Sequence, residues 1–227
     1  MTLNSLTVVI TGATGGLGRA LCDYYNGPVS IVGYRVDLIV HGRDAKKLEA
    51  LYPDNTRIVA DLSELSGIME LANKLADMDI DILINNAAIT CPGLPLAEVS
   101  DKYIKDSVNV NLLAPMLLSK YVAASVAKND GIIVNINSMV ALEPKKYRAI
   151  YSATKTGLLG FAESFRLSQA VNILEVYPTN IKTHKDRENA MNLYFVIENI
   201  TDAINQRQAV LVLDGRSGED VALVRAH

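Results

Sequence analysis

Short apolar runs alternate with longer amphipathic segments along the whole chain. The apolar runs are rich in Val, Ile and Leu and are bounded by Gly, Pro, Asn or Asp, which predicts buried β-strands. The longer segments carry apolar residues at helical spacing, as Leu17 and Leu21 do, which predicts helices with one buried face. The predicted strands span residues 6–11, 36–41, 56–60, 80–84, 132–136, 171–177 and 209–213. The predicted helices begin with one from Leu17 to a stop at residues 26–28 and continue at 43–52, 63–78, 100–128, 149–169 and 189–206.

This alternation predicts a fold class. Strands separated by helices of ten or so residues form a parallel sheet covered by helices on both faces. The expected fold is therefore one α/β domain over residues 1–227, a doubly wound sheet of about seven strands, with residues 217–227 as a possible tail. Ligands in this architecture bind at the carboxyl ends of the strands, so residues that follow strands are the first candidates for a site.

Composition narrows the possible functions. The chain has 227 residues, is 49% hydrophobic and carries a net charge of −3 without a basic block, which disfavours nucleic acid and anionic membranes as partners. No apolar run reaches the roughly 18 residues of a membrane span, and the N-terminus lacks a charged leader. Two cysteines, Cys22 and Cys91, then indicate reduced thiols in a cytoplasmic protein. Three scattered histidines provide no metal-ligand spacing, so no metal site is expected.

A glycine-rich turn follows the first predicted strand. Gly12, Gly16 and Gly18 lie between that strand and the first helix. Glycines let the backbone approach a pyrophosphate closely, and a helix N-terminus offers free N–H groups and positive dipole to the anion. The spacing differs from the Gly-x-Gly-x-x-Gly fingerprint, so a plain strand-to-helix turn stays open as an alternative.

A tyrosine and a lysine lie four residues apart in the predicted helix 149–169. Tyr151 and Lys155 share a helix face, and an adjacent ammonium favours the phenolate. A tyrosine that exchanges protons near neutral pH needs such help, because a free tyrosine titrates near 10. The alternative is an inert, solvated pair, since exposed contacts of this kind are worth only tenths of a kcal/mol.

The pattern Thr11-Gly12-x-x-x-Gly16-x-Gly18, together with Tyr151-x-x-x-Lys155, resembles the short-chain dehydrogenase/reductase family. The further matches, in chain order, are Asp61, Asn85-Asn86-Ala87-Ala88, Asn111, Ser138, Pro178-Thr179 and Asp214-Gly215. Ala88 and Thr179 stand where the family usually has glycine. The resemblance covers essentially the whole chain and implies a Rossmann-type fold.

The resemblance also implies an activity, hydride transfer between a nicotinamide and a ketone, aldehyde or secondary alcohol. Tyr151 is the expected proton donor and acceptor, and Lys155 is expected to lower its pKa and to hold the nicotinamide ribose. Ser138 is expected to orient the substrate oxygen; its alternative role is a cap on a helix or turn.

Asn111 is expected, from the same resemblance, to distort its helix and to hold a water that relays protons to Lys155. Pro115 lies four residues later, has no N–H and clashes with the carbonyl at i−4, which leaves the Asn111 carbonyl available to water. Pro115 is alternatively a simple kink in a long helix.

The cofactor groove is expected to use residues that follow the strands. The expected cofactor-binding residues are Gly12, Thr14, Gly15, Gly16, Leu17, Gly18, His41, Arg43, Asp61, Leu62, Asn85, Ala87, Tyr151, Lys155, Pro178, Thr179, Ile181 and Thr183. Asp61 accepts from the adenine amine, caps the helix that starts near Ser63, or does both. Asn85 and Asn86 are also compatible with ordinary turn chemistry.

The end of the second strand favours NADP over NAD. A carboxylate there would bind the ribose 2′-OH of NAD, whereas a basic residue accommodates the 2′-phosphate. The sequence has Arg43 at this point, and Asp37 lies too early in the strand. The alternative is a surface arginine that opens a helix, a position the helix dipole disfavours for a cation.

Several segments depart from the family pattern. Residues 27–34 are a surplus, and residues 184–189 are a short, polar version of the segment that forms the family's substrate lid, which indicates an open site for a small molecule.

The candidate substrate-pocket residues are Val140, Leu142, Tyr147, Tyr177 and Thr179. A homodimer or homotetramer is expected through helices 100–128 and 149–169. Alternatives to the reductase are a nucleotide-binding sensor or scaffold without turnover and an isomerase or epimerase.

Overall fold

The strands form one eight-stranded sheet in the computed structural model, which describes residues 4–27, 34–168, 171–182, 190–216 and 219–225. In chain order they are Asn4–Ile10 (β1), Tyr34–Gly42 (β2), Thr56–Val59 (β3), Ile82–Asn85 (β4), Ile132–Ile136 (β5), Asn172–Pro178 (β6), Val210–Asp214 (β7) and Val221–Arg225 (β8). Their order in the sheet is β3-β2-β1-β4-β5-β6-β7-β8, and all pairs are parallel except β7 with β8. The predicted doubly wound α/β fold is confirmed.

Helices cover both faces of this sheet. They are Gly16–Tyr25 (α1), Ala45–Leu51 (α2), Leu65–Ala76 (α3), Asp101–Val108 (α4), Ala114–Lys128 (α5), Ala149–Ser168 (α6) and Leu193–Asn205 (α7). On one face, Leu21 of α1 and Ile200 of α7 pack on the strands. On the other face, Leu71 of α3 and Val122 of α5 do the same. Two apolar layers therefore hold the sheet between them, because continuous apolar strands must be covered on both sides.

The switch in strand order lies between β1 and β4. The chain builds the sheet outward from β1 through β2 to β3, then returns to pair β4 with the other edge of β1. At this switch the connections that follow the two strands leave to opposite faces and open a crevice. Thr11 follows β1, and Asn86 follows β4, so both lie at this crevice.

The eighth strand was not predicted. Val221–Arg225 falls in the segment interpreted as a tail, yet it pairs antiparallel with β7, with Leu223 opposite Val212. Leu223 keeps 60% of its surface exposed and Val224 keeps 52%. A strand at the sheet edge that buries so little gives a weak hydrophobic signal, which explains why the sequence pattern did not predict it.

Two helices begin later than predicted because of local caps. The Asp44 carboxylate accepts from the Lys47 N–H at 3.0 Å, so α2 begins at Ala45 and Arg43 lies before the helix. Before α3, the carboxylate of Asp61 accepts from the Ser63 N–H at 2.9 Å and holds a turn. Arg43 therefore lies in the loop after β2 and not in a helix, and its side chain is exposed, as the alternative of a surface arginine requires.

The predicted helix 100–128 is continuous but irregular. A π-helical turn, Asn109–Leu113, separates α4 from α5, and the Ala114 N–H donates to the Asn109 carbonyl. Pro115 comes directly after this turn. A proline without an N–H removes one rung of the helix ladder, and a π-turn is one way to absorb that loss.

The same helical stretch is apolar for a reason of packing. By length and composition, Asp101–Lys128 is the one helix among the described residues that could cross a membrane, with mean hydropathy 1.4. Leu118, Val122 and Val126 in it are buried in the core layer that contains Leu83 of β4. Core packing against the sheet accounts for these apolar positions.

Candidate active site

The loops after β1 and β4 are hydrogen-bonded to each other at the crevice. The Thr11 hydroxyl accepts from the N–H groups of Asn86 and Ala87, both at 3.0 Å. The Asn86 side-chain amide donates to the Thr11 carbonyl at 2.9 Å and to the Gly12 carbonyl at 3.3 Å. These hydrogen bonds from the loop after β4 hold the glycine-rich turn in its shape.

Two positions in the turn require glycine. Gly12 has a φ of +70°, which disfavours other residues, and a Cβ there would lie 2.9 Å from the Ala87 Cα. Gly18 is in α1, where a Cβ would lie 2.3 Å from the Gly12 carbonyl oxygen. Gly18 therefore supports the turn from behind and does not line the cavity. The turn brings backbone N–H groups and the α1 N-terminus to the crevice.

A cavity of about 660 Å³ opens over this turn. Its volume lies in the range of roughly 300–1,000 Å³ that is usual for small-molecule and cofactor sites. Its predicted lining residues are Gly12, Thr14, Gly15, Gly16, Leu17, His41, Arg43, Asp61, Leu62 and Ala87. Ten of the predicted cofactor residues thus share one cavity, which we call the nucleotide cavity.

His41 lines the nucleotide cavity but is held by protein partners. Its Nδ1 accepts from the Gly12 N–H at 3.4 Å, and its Nε2 lies 3.1 Å from the Ala60 carbonyl, to which a neutral ring donates. Burial lowers the pKa of His41 to about 4, so the ring is neutral near pH 7. His41 therefore ties the glycine turn to β3 and offers no positive charge to a phosphate.

Arg43 and Asp61 lie on the wall of the nucleotide cavity. The Ser63 N–H holds the pKa of Asp61 below its usual range, and the positive charges of Arg43 and Lys102 act in the same direction. Within the described part of the chain, Arg43 has no ion-pair partner within 4.0 Å. Its guanidinium is the cation that the cavity offers at the end of β2.

A second cavity of about 620 Å³ adjoins the first and contains the predicted catalytic group. Ser138, Tyr151 and Lys155 line it together, and Pro178, Thr179 and Ile181 belong to the same lining. The two cavities share Leu17, Asn86, Ala88 and Thr90, so they form one groove along the crevice. We call this second part the catalytic cavity.

Burial raises the pKa of Tyr151, whereas the sequence predicted a lowered one. A hydrogen bond with Ser138 and the positive charge of Arg148 oppose the effect of burial without cancelling it. Tyr151 is therefore protonated near neutral pH. The Ser138 hydroxyl also accepts from the Val140 N–H at 3.4 Å, so its alternative role as a turn cap holds as well.

Lys155 is turned toward the sheet. Its ammonium donates to the Ile136 carbonyl at 2.8 Å and lies 5.9 Å from the centre of the Tyr151 ring. The side chain is 2% exposed, and burial lowers its pKa to about 8 against the opposing effect of the Glu175 carboxylate. Ser138 and Arg148, and not Lys155, are the groups that oppose the effect of burial on the pKa of Tyr151, and no hydrogen bond joins the Lys155 ammonium to the phenol.

Asn111 is fully buried, inside the π-turn. Its side-chain oxygen accepts from the Ile89 N–H at 2.8 Å, and its amide nitrogen donates to the Ile89 carbonyl at 2.9 Å. The amide nitrogen also lies 3.4 Å from the Thr154 hydroxyl. The side chain therefore fixes the loop after β4 against α6, one turn from Tyr151.

One predicted cofactor residue besides Gly18, Asn85, does not line the groove. The side-chain amide of Asn85 is buried between β4 and β5 and donates to the Asn135 oxygen at 2.9 Å, away from both cavities. Its neighbour Asn86 lines the groove instead. Thr183 lies outside the described residues, as does the segment 184–189.

The substrate-pocket prediction is partly wrong. Of those five candidates, Thr179 alone lines the catalytic cavity, and its hydroxyl accepts from the Gly215 N–H at 3.0 Å. Tyr177 and Val140 are buried, and Leu142 lies outside both cavities. Tyr147 lines a smaller neighbouring cleft with Cys91.

A buried polar network beneath the catalytic cavity was not predicted. Glu175 of β6 is 1% exposed and accepts from the side-chain amides of Asn135 and Asn137, the latter at 2.7 Å. Asn137 also donates to the Lys155 carbonyl at 3.2 Å. Burial raises the pKa of Glu175 to about 7. A single carboxylate in an apolar strand is the sequence signal that could have identified it.

Other groove residues had no recognisable sequence signal. Among them are Lys102, Asp106, Ile89, Thr90, Cys91, Asn137, Arg148 and Asn180, whereas Asn86 and Ala88 were part of the family motif. They come from loops and helix ends whose positions depend on the assembled fold. As for metals, the part of the chain that the structure describes has no group of three or more His, Cys, Asp or Glu placed to hold an ion.

Comparisons with known proteins agree with this geometry. The chain matches the family model for short chain dehydrogenases over residues 6–192. It is 30% identical over 218 residues to Nodulation protein G of Rhizobium sp. (strain N33), covering 93% of this chain and 81% of that protein. It is 29% identical to the NADP-dependent 3-hydroxy acid dehydrogenase of Schizosaccharomyces pombe, covering 93% of this chain and 92% of that protein. The solved structure of the bulky-bulky ketone specific alcohol dehydrogenase from Comamonas testosteroni matches with a TM-score of 0.79 and 25% identity. The match covers 91% of this chain and 85% of that one.

The fold and the groove together define a class, the NAD(P)-dependent oxidoreductases built on a doubly wound sheet. Within that class the family match spans most of the chain. The chain belongs to the short-chain dehydrogenase/reductase family and is an enzyme of that family.

Proposed function

We propose that this enzyme is an NADP-dependent oxidoreductase that transfers hydride between the nicotinamide and a ketone, aldehyde or secondary alcohol. The observation that carries the proposal is the shared groove. Ser138, Tyr151 and Lys155 line one end of it, and the glycine turn lines the other. A nucleotide bound along the groove would extend from the glycine turn toward the tyrosine.

The residues present fit a dinucleotide. Gly12 and Gly16 have positive φ and leave the space over the turn free of side chains, and the N-terminus of α1 is directed at that space. Leu62 and Asp61 in the nucleotide cavity would bind the adenine end, and Pro178, Thr179 and Ile181 in the catalytic cavity would bind the nicotinamide end. When bound, the nicotinamide would supply or accept the hydride.

The chain's own contribution is proton transfer at the substrate oxygen. The protonated Tyr151 hydroxyl donates to the oxygen that gains charge during reduction, and the Ser138 hydroxyl donates to the same oxygen and fixes its position. Lys155 would hold the ribose and remain cationic below its pKa of about 8. We assign to Asn111 the water that relays protons to Lys155, because Pro115 has no N–H to donate to the Asn111 carbonyl.

The preference for NADP rests on Arg43. Its guanidinium lies on the cavity wall directly after β2, whereas the adjacent carboxylate of Asp44 caps α2 and does not line the cavity. A planar guanidinium suits a phosphate, and the relative from Schizosaccharomyces pombe is described as NADP-dependent. Both observations support NADP over NAD.

Arg43→Ala tests this preference. We expect it to raise KM for NADPH by roughly tenfold to a hundredfold, since a charge-assisted hydrogen bond is lost, and to change KM for NADH by much less. Steady-state kinetics with both cofactors measures the effect. Lys46→Ala removes an exposed cation on α2 outside the cavity and is the matched control. Equal changes for the two cofactors would show that Arg43 does not bind the 2′-phosphate.

The activity itself is tested by following NADPH oxidation with a panel of ketones, aldehydes, diketones and oxo acids. Turnover of any member supports the proposal. The alternative function, a nucleotide-binding sensor or scaffold, is favoured if NADPH binds by calorimetry and no carbonyl is reduced. Tyr151, Ser138 and Lys155 in one cavity argue for the enzyme, because a sensor has no use for a proton donor.

We also propose that the enzyme is a homodimer or homotetramer located in the cytoplasm. A cleft between α5 and α6 is lined by Leu112, Met116, Phe161 and Phe165, with the two phenylalanine rings stacked 5.3 Å apart. A second copy would cover this apolar surface. Light scattering of the purified protein should give a mass of at least twice 24.7 kDa; a monomer would refute the assembly.

A further inference from the structure

An arginine lies beside the predicted proton donor. Arg148 lines the catalytic cavity with Ser138, Tyr151 and Lys155. Its positive charge lies near enough to the phenol to lower the pKa of Tyr151. In sequence it precedes Tyr151 by three residues and stands directly before α6, which begins at Ala149. A group bound by Arg148 would therefore lie close to the reacting carbon.

The backbone around Arg148 is held in place. Its N–H donates to the Lys145 carbonyl at 3.2 Å, and its carbonyl accepts from the Ser152 N–H at 2.8 Å in the first turn of α6. Tyr147, directly before it, has a φ of +61°, which is costly for a tyrosine. This turn directs the chain so that an arginine stands at the start of α6, where the helix dipole disfavours a cation.

The charge of Arg148 is not compensated by the described protein. The described lining of the catalytic cavity contains two cations, Arg148 and Lys155, and no carboxylate. No ion pair within 4.0 Å involves Arg148 among the residues that the structure places. The nearby acids Glu143 and Asp214 are both paired with Arg216. An accessible cation in a cavity without an acid is suited to an anionic ligand.

We propose that the substrate carries a carboxylate that Arg148 binds, so that the enzyme interconverts a small oxo acid and the corresponding hydroxy acid. This inference rests on the proposed function. In the reduction, the carbonyl carbon gains the hydride from the reduced nicotinamide, and its oxygen gains the proton from Tyr151. The carboxylate is unchanged and takes no part in the redox step.

The chemistry of the two groups supports a carboxylate. A guanidinium presents a planar fork of N–H donors that matches the two oxygens of a carboxylate. Because Arg148 and Tyr151 line the same cavity, three residues apart in the chain, the carboxylate and the carbonyl belong on one small molecule and are separated by few carbons. Binding the carboxylate would also orient the carbonyl toward Ser138 and Tyr151.

The test compares an oxo acid with its methyl ester, which is neutral and nearly the same shape. We expect kcat/KM of the wild type to be roughly tenfold to a hundredfold higher for the acid, since the ester cannot form the charged hydrogen bonds. Arg148→Gln should remove most of this preference through a higher KM for the acid. Arg148→Lys, which keeps the charge but not the fork, should retain part of it.

Controls separate this inference from the proposed function. Lys146→Gln removes a cation from the same loop outside the catalytic cavity and should keep the preference for the acid. If neutral ketones and esters are reduced as well as the acids, or if Arg148→Gln slows both equally, the carboxylate site is wrong and the reductase stands. If no carbonyl is reduced although NADPH binds, the proposed function fails and this inference fails with it. Thermal unfolding of each variant establishes that it is folded.

Discussion

Tyr151→Phe should lower kcat for carbonyl reduction by roughly two to four orders of magnitude, the usual contribution of a positioned general acid. The variant removes one hydroxyl, which lies beside Ser138 in the catalytic cavity. The phenyl ring keeps the same packing, so the fold and the nucleotide cavity should be unchanged. The variant should therefore lose activity through a lower kcat. Its affinity for NADPH should stay within about twofold of the wild type, because the hydroxyl is not needed to bind the phosphates.

The measurement is steady-state reduction with a reactive ketone, alongside NADPH binding by fluorescence. Tyr194→Phe removes a hydroxyl from a tyrosine that is 83% exposed on α7 and is the matched control. Turnover of Tyr151→Phe within about tenfold of the wild type would show that another group or water supplies the proton, since that loss is too small for a general acid.

Because its pKa is raised, Tyr151 carries its proton at neutral pH in the free enzyme. A tyrosine that keeps its proton at neutral pH is ready to donate it, which suits reduction. Alcohol oxidation needs the phenolate, so its rate should rise with pH. Under the proposed function Lys155 would hold the ribose, and it is cationic below its pKa of about 8.

The periodic features of the chain were predictable from the sequence. Apolar strands and helical periodicity identify a doubly wound sheet, and the residues that follow the strands identify its binding edge. Pro115 even predicts the irregularity in the long helix, because a missing N–H has a local consequence. Such features depend on near neighbours in the chain or on burial patterns.

The site predictions that the structure corrects concern residues whose side-chain direction is set only in the assembled sheet. Asn85 and Asn86 are adjacent and chemically identical, yet one lies between β4 and β5 and the other lies on the groove. Successive side chains of a strand point to opposite faces, and the last residue of β4 cannot be located without its register. His41 is similar: its position near the end of β2 suggested a cofactor ligand, but its two hydrogen bonds within the protein tie the glycine turn to the residue after β3.

Glu175 is the most informative of the residues that the sequence did not identify. Its carboxylate is linked through Asn137 to the backbone of Lys155. The hydroxyl of Tyr177, on the same strand, donates to the Glu175 carboxylate at 3.4 Å. Two cations on α6, Lys155 and Arg166, favour the ionised form of Glu175. A buried carboxylate with these partners is a positioning residue for Lys155, because its charge helps to keep the lysine protonated.

The two buried groups change stability with pH in opposite senses. The folded state raises the pKa of Glu175 from 4.5 to about 7, so it binds that proton more tightly than the unfolded chain, and stability falls as pH rises across this window. The folded state lowers the pKa of Lys155 from 10.5 to about 8, so stability rises as pH increases from about 8 to 10.5. Between pH 7 and 8 both groups are largely charged.

Glu175→Gln should therefore have two separable effects. It leaves Asn135 or Asn137 without an acceptor, which should cost about 1–3 kcal/mol of unfolding free energy. It also removes the negative charge that raises the pKa of Lys155, so the alkaline limb of the kcat/KM profile should move down by about one pH unit. Urea unfolding at pH 5 and pH 7 should show the difference from the wild type narrowing at the higher pH, since the variant lacks the ionisation of Glu175.

The pH profile distinguishes positioning from packing. A residue that only packs would lower activity at every pH and leave the alkaline limb where it is. Glu175→Asp keeps the charge and should restore the limb even where the shorter side chain costs stability. Glu163→Gln removes an exposed carboxylate from α6 and should leave the limb unchanged. If the limb of Glu175→Gln coincides with that of the wild type, Lys155 keeps its proton without Glu175, and the buried network serves the fold alone.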